Sequence, residues 1–171
     1  MLFRSYEIIQ KHGVKAGDVE SLVVRMPQEQ LEVVSGREMP DISLQHLLAV
    51  MLIDGTMTFA AAHDTRRVQD PAVLRLKRRI EAVADPSIPN AVRGWRSGIR
   101  MTLKDGSAIE HQTLAAKGNS ENPLTRDEVA EKALDLMAPA LGKKRSKELM
   151  AALFDLERVR NVRALRRLYS A

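Results

Sequence analysis

The sequence predicts an α+β domain: a small antiparallel sheet with packed helices. Three observations predict it. A β-branched run at residues 21–26 stops at Pro27, as a strand does before a residue without a backbone N–H. Two runs flank Asp105-Gly106, a dipeptide suited to a hairpin turn. Two strong helix starts, Asp70-Pro71 and Thr125-Arg126-Asp127-Glu128, stand among and after these runs.

Taken in order, residues 6–12 read as the tail of a helix, with Ile8 and Ile9 apolar and Gly13 as its stop. Residues 28–42 carry no clean period; Leu31, Val33 and Val34 are compatible with a second short strand. Asp41 and Ser43 offer caps for a helix over 44–54, apolar on most sides and therefore suited to burial. The helix opened by Asp70-Pro71 is expected to reach about Ile80, with Val73, Leu74 and Leu76 apolar, before a loop at Asp85-Pro86 and Ile88-Pro89-Asn90. Residues 98–103 and 108–116 form the hairpin; Ile99, Met101 and Leu103 alternate with polar neighbours, so one face is buried. The capping box at Thr125 opens a helix with Val129, Ala133, Leu136, Met137 and Ala140 on one stripe, ended by Gly142. A helix from about Ser146 to Leu156 is expected to bury Leu149, Met150, Leu153 and Leu156, and a short basic one follows near residues 162–168.

Composition narrows the function. The chain has 171 residues, 44% of them hydrophobic and 29% charged, the balance of a globular domain. Cysteine is absent, which removes disulfides, thiolate metal sites and cysteine nucleophiles. The formal charge of +5 comes from 27 Lys+Arg against 22 Asp+Glu, with the two signs interspersed. Basic clusters at Arg75, Lys77, Arg78 and Arg79, and from Arg158 to Arg167, read as solvated faces. They lack the interleaved aromatics that nucleic-acid binding uses, so no nucleic-acid partner is expected. The longest apolar run, residues 47–53, falls far short of the ~20 residues that span a bilayer, so no membrane partner is expected either. No signal peptide is visible, and a cytoplasmic location is the expectation. Leu2-Phe3-Arg4-Ser5 resembles a translated adapter end, and Tyr6 enters mid-helix without a cap. Residues 1–5 are therefore expected to be a non-native or truncated start, with the reading frame beginning inside a longer gene.

The histidines are His12, His46, His63 and His111, and none has metal-ligand spacing, so no metal site is expected. His46 lies in the first turn of a helix made to be buried. The positive field of a helix start favours carboxylates and a neutral imidazole, which suits general acid–base catalysis. The plainer reading is a buried histidine satisfied by a carbonyl. His63-Asp64 precedes Arg66-Arg67 and either lines an anion pocket or forms a capped turn with solvated charges.

The stretch DISLQHLLAVMLIDGTMTFAAAHDTRRVQDP (residues 41–71) resembles the C-terminal domain of the MmgE/PrpD family, the 2-methylcitrate dehydratase type. So do IRMTLKDGSAIEHQTLAAKGNSENPLTRDEV, LFDLERVRNVRALRRL and KHGVKAGDVESLVVRMP, and together they cover nearly all of the chain. The resemblance implies an α+β lid-type domain over residues 6–171, with an all-helical N-terminal domain absent and the active site in the cleft between the two. It implies a lyase or isomerase without metal or organic cofactor. Its substrates are small di- or tricarboxylates, and it works by proton transfer next to a carboxylate: dehydration, decarboxylation or epimerisation. His46 stands where a decarboxylase of the family has an active-site tyrosine, SFQY against Ser43-Leu44-Gln45-His46, and is the catalytic candidate. Ser43 and Gln45 of that motif, with His63 and Asp64, are the candidates for binding substrate. The family's other catalytic residues have no counterpart here, so the isolated chain is expected to be inactive. The partners expected are a small carboxylate substrate, the missing helical domain and a second copy in a homodimer. A second reading is a standalone binding or assembly module; the two differ in whether an apolar patch is left uncovered.

Overall fold

The computed structural model describes residues 8–9, 11–89 and 96–170. The chain forms two compact units, Met1–Pro123 and Leu124–Ala171.

The first unit is built on a four-stranded mixed sheet. Strands β1 (Val19–Met26), β2 (Ile80–Ala84), β3 (Ser97–Leu103) and β4 (Ala108–Thr113) stand in the order β2-β1-β3-β4. β3 is antiparallel to both its neighbours, whereas β2 runs parallel to β1, with Leu22 opposite Ile80 and Met26 opposite Ala84. The α+β class expected from sequence is present, and its small antiparallel sheet is extended by a parallel β1–β2 pair. Parallel pairing needs a long crossover, and the whole segment between Met26 and Ile80 supplies it. That segment carries α1 (Gln28–Val34), α2 (Leu44–Asp54), α3 (Phe59–Ala62) and α4 (Pro71–Lys77).

β2 escaped the sequence reading because α4 ends at Lys77, a turn earlier than expected, and Ile80 leads a strand rather than closing a helix. Its Ile-Glu-Ala-Val-Ala run has little intrinsic strand preference. Residues 28–34 are likewise helical, not a second strand. Pro27 ends β1 and stands at the N-cap of α1, whose Leu31 and Val34 then pack against the core one turn apart.

The core lies on one face of the sheet. Leu22, Val24 and Met26 of β1 and Ile99 and Met101 of β3 point the same way and are buried. Against them packs α2, in which residues 46–52 are all buried, and α4 adds Val73. A helix apolar around its whole girth has to be enclosed, and the sheet with the neighbouring helices encloses it. Gly55, in the left-handed region at φ 68°, ends the helix. The opposite face of the sheet is polar, with Arg100 of β3 paired to Glu110 of β4 at 3.1 Å.

The β3–β4 hairpin turns differently from the two-residue loop expected. Gly106 N–H donates to the Leu103 carbonyl at 3.0 Å, and of the loop residues only Gly106 has positive φ, at 86°. This is a three-residue loop closed by a left-handed glycine. Asp105 stays at negative φ because its carboxylate accepts the Ser107 N–H at 2.8 Å and hydroxyl at 2.6 Å.

The second unit contains α5 (Arg126–Leu141), α6 (Lys143–Phe154) and α7 (Arg166–Tyr169), with 3-10 turns at Leu156–Arg158 and Val162–Leu165. The capping box forms as the sequence predicts. Thr125 Oγ1 accepts the Glu128 N–H at 3.2 Å, and Glu128 Oε2 accepts the Thr125 N–H at 2.7 Å. The expected burial does not. No residue of α5 is buried, and Val129 and Leu136 are exposed. In α6 Leu149 is buried, but Leu153 and the following Leu156 are exposed. Periodicity marks an apolar stripe, but two helices and a short third offer too little surface to cover it.

Residues 8–9 and 11–12 are helical and Gly13 follows at φ 61°, in keeping with the helix tail expected there; Tyr6, the first five residues and Asn90 lie outside the described residues. Among the described residues no helix is long and apolar enough to cross a membrane.

Leu48 of α2 is 1% exposed. Leu48→Ala is expected to destabilise the first unit by about 2–5 kcal/mol, the usual cost of a buried leucine truncated to leave a cavity. Urea unfolding followed by circular dichroism checks this, and a loss below ~1 kcal/mol would refute the central place given to α2.

Candidate functional site

The sequence-predicted residues all lie in the crossover between β1 and β2. Ser43 occupies the N-cap of α2, and its carbonyl accepts the first intrahelical bond, from Leu47 N–H at 2.9 Å. Its side chain makes no capping bond, and its Oγ is buried without a hydrogen-bond partner. His46, one turn on, is 3% exposed, and its Nε2 is also buried without a partner. Residues three apart share a helix face, so two unsatisfied polar groups stand close together at the start of α2. Leaving such groups unpaired costs free energy, and an unpaired buried group calls for an explanation in function or in a bound molecule.

The His46 imidazole titrates below its ordinary range. Burial is the largest cause, followed by the positive charges of Lys77 and Arg67. The expectation of a neutral histidine thus agrees with the structure, but burial and cations take the place of the helix-start field. The packing of α4 on α2 brings Lys77 into play, and no local sequence signal announces that. Arg67, in the 3-10 turn Thr65–Gln69, is ion-paired with Asp54 at the end of α2.

Gln45 is turned to another task. Its Nε2 donates to Ser35 Oγ at 2.8 Å and its Oε1 accepts the Gly36 N–H at 3.3 Å. It ties the turn after α1 to the start of α2. Asp64 caps the 3-10 turn by accepting the Arg66 N–H at 3.1 Å, and a forked pair with the Arg66 guanidinium holds its carboxyl below the usual carboxylate range. This is the capped-turn geometry that the sequence offered as one of two readings for Asp64.

His63 lies at the end of α3, its ring 4.1 Å from that of Phe59. Nδ1 is 2.8 Å from the Phe59 carbonyl, an acceptor only, so Nδ1 carries the hydrogen. Nε2 then faces Asp41 Oδ2 at 3.9 Å. The structure therefore brings the His63 segment beside the Asp41–Ser43 approach to α2. Met39, Ile42 and Phe59 around this meeting point are exposed apolar side chains. Sequence reasoning missed Asp41 as a partner of His63, having taken it only for a cap. Among the described residues no group of three or more His, Asp or Glu is placed to hold a metal ion.

A histidine whose folded-state pKa is depressed stabilises the fold above its unfolded pKa, and that stability is lost as pH falls. The loss is expected to begin near the ordinary value of 6.5 and to continue down to the folded-state value. Denaturant melts between pH 7.5 and 5 are therefore expected to show wild type weakening on acidification more than His46→Leu. Parallel pH profiles for the two proteins would refute a buried neutral His46.

The family model of the MmgE/PrpD C-terminal domain matches residues 5–156. The chain is 26% identical over 123 residues to cis-aconitate decarboxylase of Mus musculus, covering 68% of this chain and 24% of that protein. It is 28% identical over 109 residues to 2-methylcitrate dehydratase of Cupriavidus necator, covering 57% of this chain and 22% of that protein. The chain thus spans less than a quarter of the length of either relative. With a family model matched across most of its length, this chain belongs to the MmgE/PrpD family as its C-terminal domain.

Proposed function

We propose that this domain serves a cofactor-independent lyase or isomerase acting on small di- or tricarboxylates by proton transfer next to a carboxylate. The observation that carries the proposal is the buried, neutral-favouring His46 with an unpartnered Nε2 in the first turn of α2. A neutral imidazole can take or give a proton at physiological pH, and nearby Arg67 and Lys77 favour anionic substrate. The substrates in the names of the two relatives, cis-aconitate and 2-methylcitrate, are both small tricarboxylates and support this substrate class.

At 3% exposure the ring meets a substrate only after a neighbouring segment shifts. Residues 38–43 are the candidates, since they lead into α2 beyond the ties that Gln45 makes to Gly36 and that Arg37 makes to the Glu32 and Val33 carbonyls. The exposed apolar trio Met39, Ile42 and Phe59 favours a domain that docks on a further part of the protein over a standalone module, which would cover such a patch with polar groups. One acid–base group without its partners forfeits most of the catalytic effect, so the isolated chain is proposed to be inactive.

The test is a fusion. The chain replaces the corresponding C-terminal part of the Cupriavidus necator 2-methylcitrate dehydratase, and 2-methylcitrate dehydration is assayed beside the 171-residue chain alone. The expected outcome is turnover by the fusion, none by the chain, and kcat lowered about 10²-fold or more in the fusion by His46→Phe. Turnover by the chain alone, or a His46→Phe fusion with full kcat, would overturn the proposal.

A further inference from the structure

A concavity of about 250 Å³ lies where α4 meets the β3–β4 hairpin and the 3-10 turn Ala16–Asp18. Gly17, Ile53, Arg75, Leu76, Arg79 and Lys104 line it. Arg67 and Lys77, the cations that act on His46, are not among its lining residues. From this arrangement we infer a binding site for a compact polyanion carrying two or three negative charges, a small polycarboxylate or a phosphate.

Three cationic side chains line the concavity, and among the described residues no carboxylate does. Elsewhere in the same unit Arg66, Arg67 and Arg100 are ion-paired, with Asp64, Asp54 and Glu110. Arg75, Arg79 and Lys104 have no carboxylate within ion-pair distance among the described residues. The nearest candidate on the rim, Asp18, turns its carboxylate to the Lys15 N–H at 3.1 Å, while its carbonyl accepts the Lys104 N–H at 2.9 Å.

The end of α4 favours positive charge in its last turn, which accounts for basic residues on that helix. It does not account for Lys104, which arrives from the hairpin loop some 25 positions further along the chain (104 − 79). Arg75 lies on α4 and Arg79 in the turn just after it, and both line the same hollow, where like charges repel. Gathering Lys104 to the same hollow adds to that repulsion, and a bound anion relieves it.

The site is also partly set in advance. Arg79 Nη1 donates to the Val19 carbonyl at 2.7 Å, which fixes the guanidinium and leaves its other N–H groups for a ligand. Gly17 lines the hollow without a side chain, and a Cβ there would meet no heavy atom within 4 Å. The apolar floor, Ile53 and Leu76, lowers the local polarity and strengthens each charge-assisted contact.

The test is isothermal titration calorimetry of the 171-residue chain with citrate and, separately, with inorganic phosphate, ionic strength being held constant with chloride. One-to-one binding above the chloride control is expected, weakened about tenfold or more in Arg75→Gln/Lys104→Gln. Tighter citrate binding assigns the site to a polycarboxylate and tighter phosphate binding to a phosphoryl group; either supports it. No binding beyond chloride, or an unchanged Kd in the double variant, would overturn it. Arg79 is left intact because it also anchors β1. If the double variant loses its far-ultraviolet spectrum, Lys104→Gln alone, on the exposed loop, decides: its affinity is expected to fall about threefold or more, and no fall refutes the site. His46 plays no part in this binding, so inactivity of the fusion enzyme leaves the result unaffected.

Discussion

The burial of α2 against the sheet organises the first unit. A helix with no wet side is unstable alone in water and has to be enclosed before it is worth forming. The apolar face of β1 and β3 supplies one wall, and α4 supplies another. Once α2 is fixed, the positions of Ser43 and His46 follow from helical geometry. The cations that tune His46 follow from how α4 and the 3-10 turn are held against that same helix. The polar residues of the site are thus carried inside an element whose reason for existing is apolar. That accounts for two unsatisfied side-chain atoms, Ser43 Oγ and His46 Nε2, in an otherwise well-packed region.

Charge is distributed with some discrimination. Around the Asp64–Gln69 segment the acids serve structure: Asp64 caps the turn and binds Arg66, and Asp54 at the end of α2 binds Arg67. On α4 and in the turn after it, Lys77, Arg75 and Arg79 have no carboxylate partner among the described residues. This short stretch therefore sets positive potential at two places, one beside the imidazole and one in the hollow below the hairpin.

What could be read from the sequence was decided locally. Asp70-Pro71, the Asp105-Gly106 turn and the Thr125–Glu128 box each satisfy backbone groups within a few residues, so their chemistry is visible without knowing the fold. β2 and α1 were hidden because tertiary pairing chose them: Ile80–Ala84 is a strand by virtue of lying beside β1. The stripe on α5 was visible, but its burial depends on neighbours that the period cannot name. At the site, the place of His46 in a first turn was legible from the motif. The approach of Lys77, the Asp41–His63 contact and the diversion of Gln45 to Ser35 and Gly36 arise from packing across the crossover, which no spacing encodes.

The parallel pairing of β2 with β1 has a kinetic consequence. β3 and β4 close on a three-residue loop, a local event that costs little chain entropy. β2 reaches β1 only after the intervening helices have been laid down, and it is a five-residue edge strand with one neighbour. It is thus the last strand to join and the first to let go. Its release would free the C-terminal end of α4 while leaving the antiparallel β1–β3–β4 strands in place, so amide hydrogens of β2 are expected to exchange by a shallower opening than those of β3. The crossover that carries His46 is thus held at its far end by an edge strand, while α2 itself stays fixed in the core.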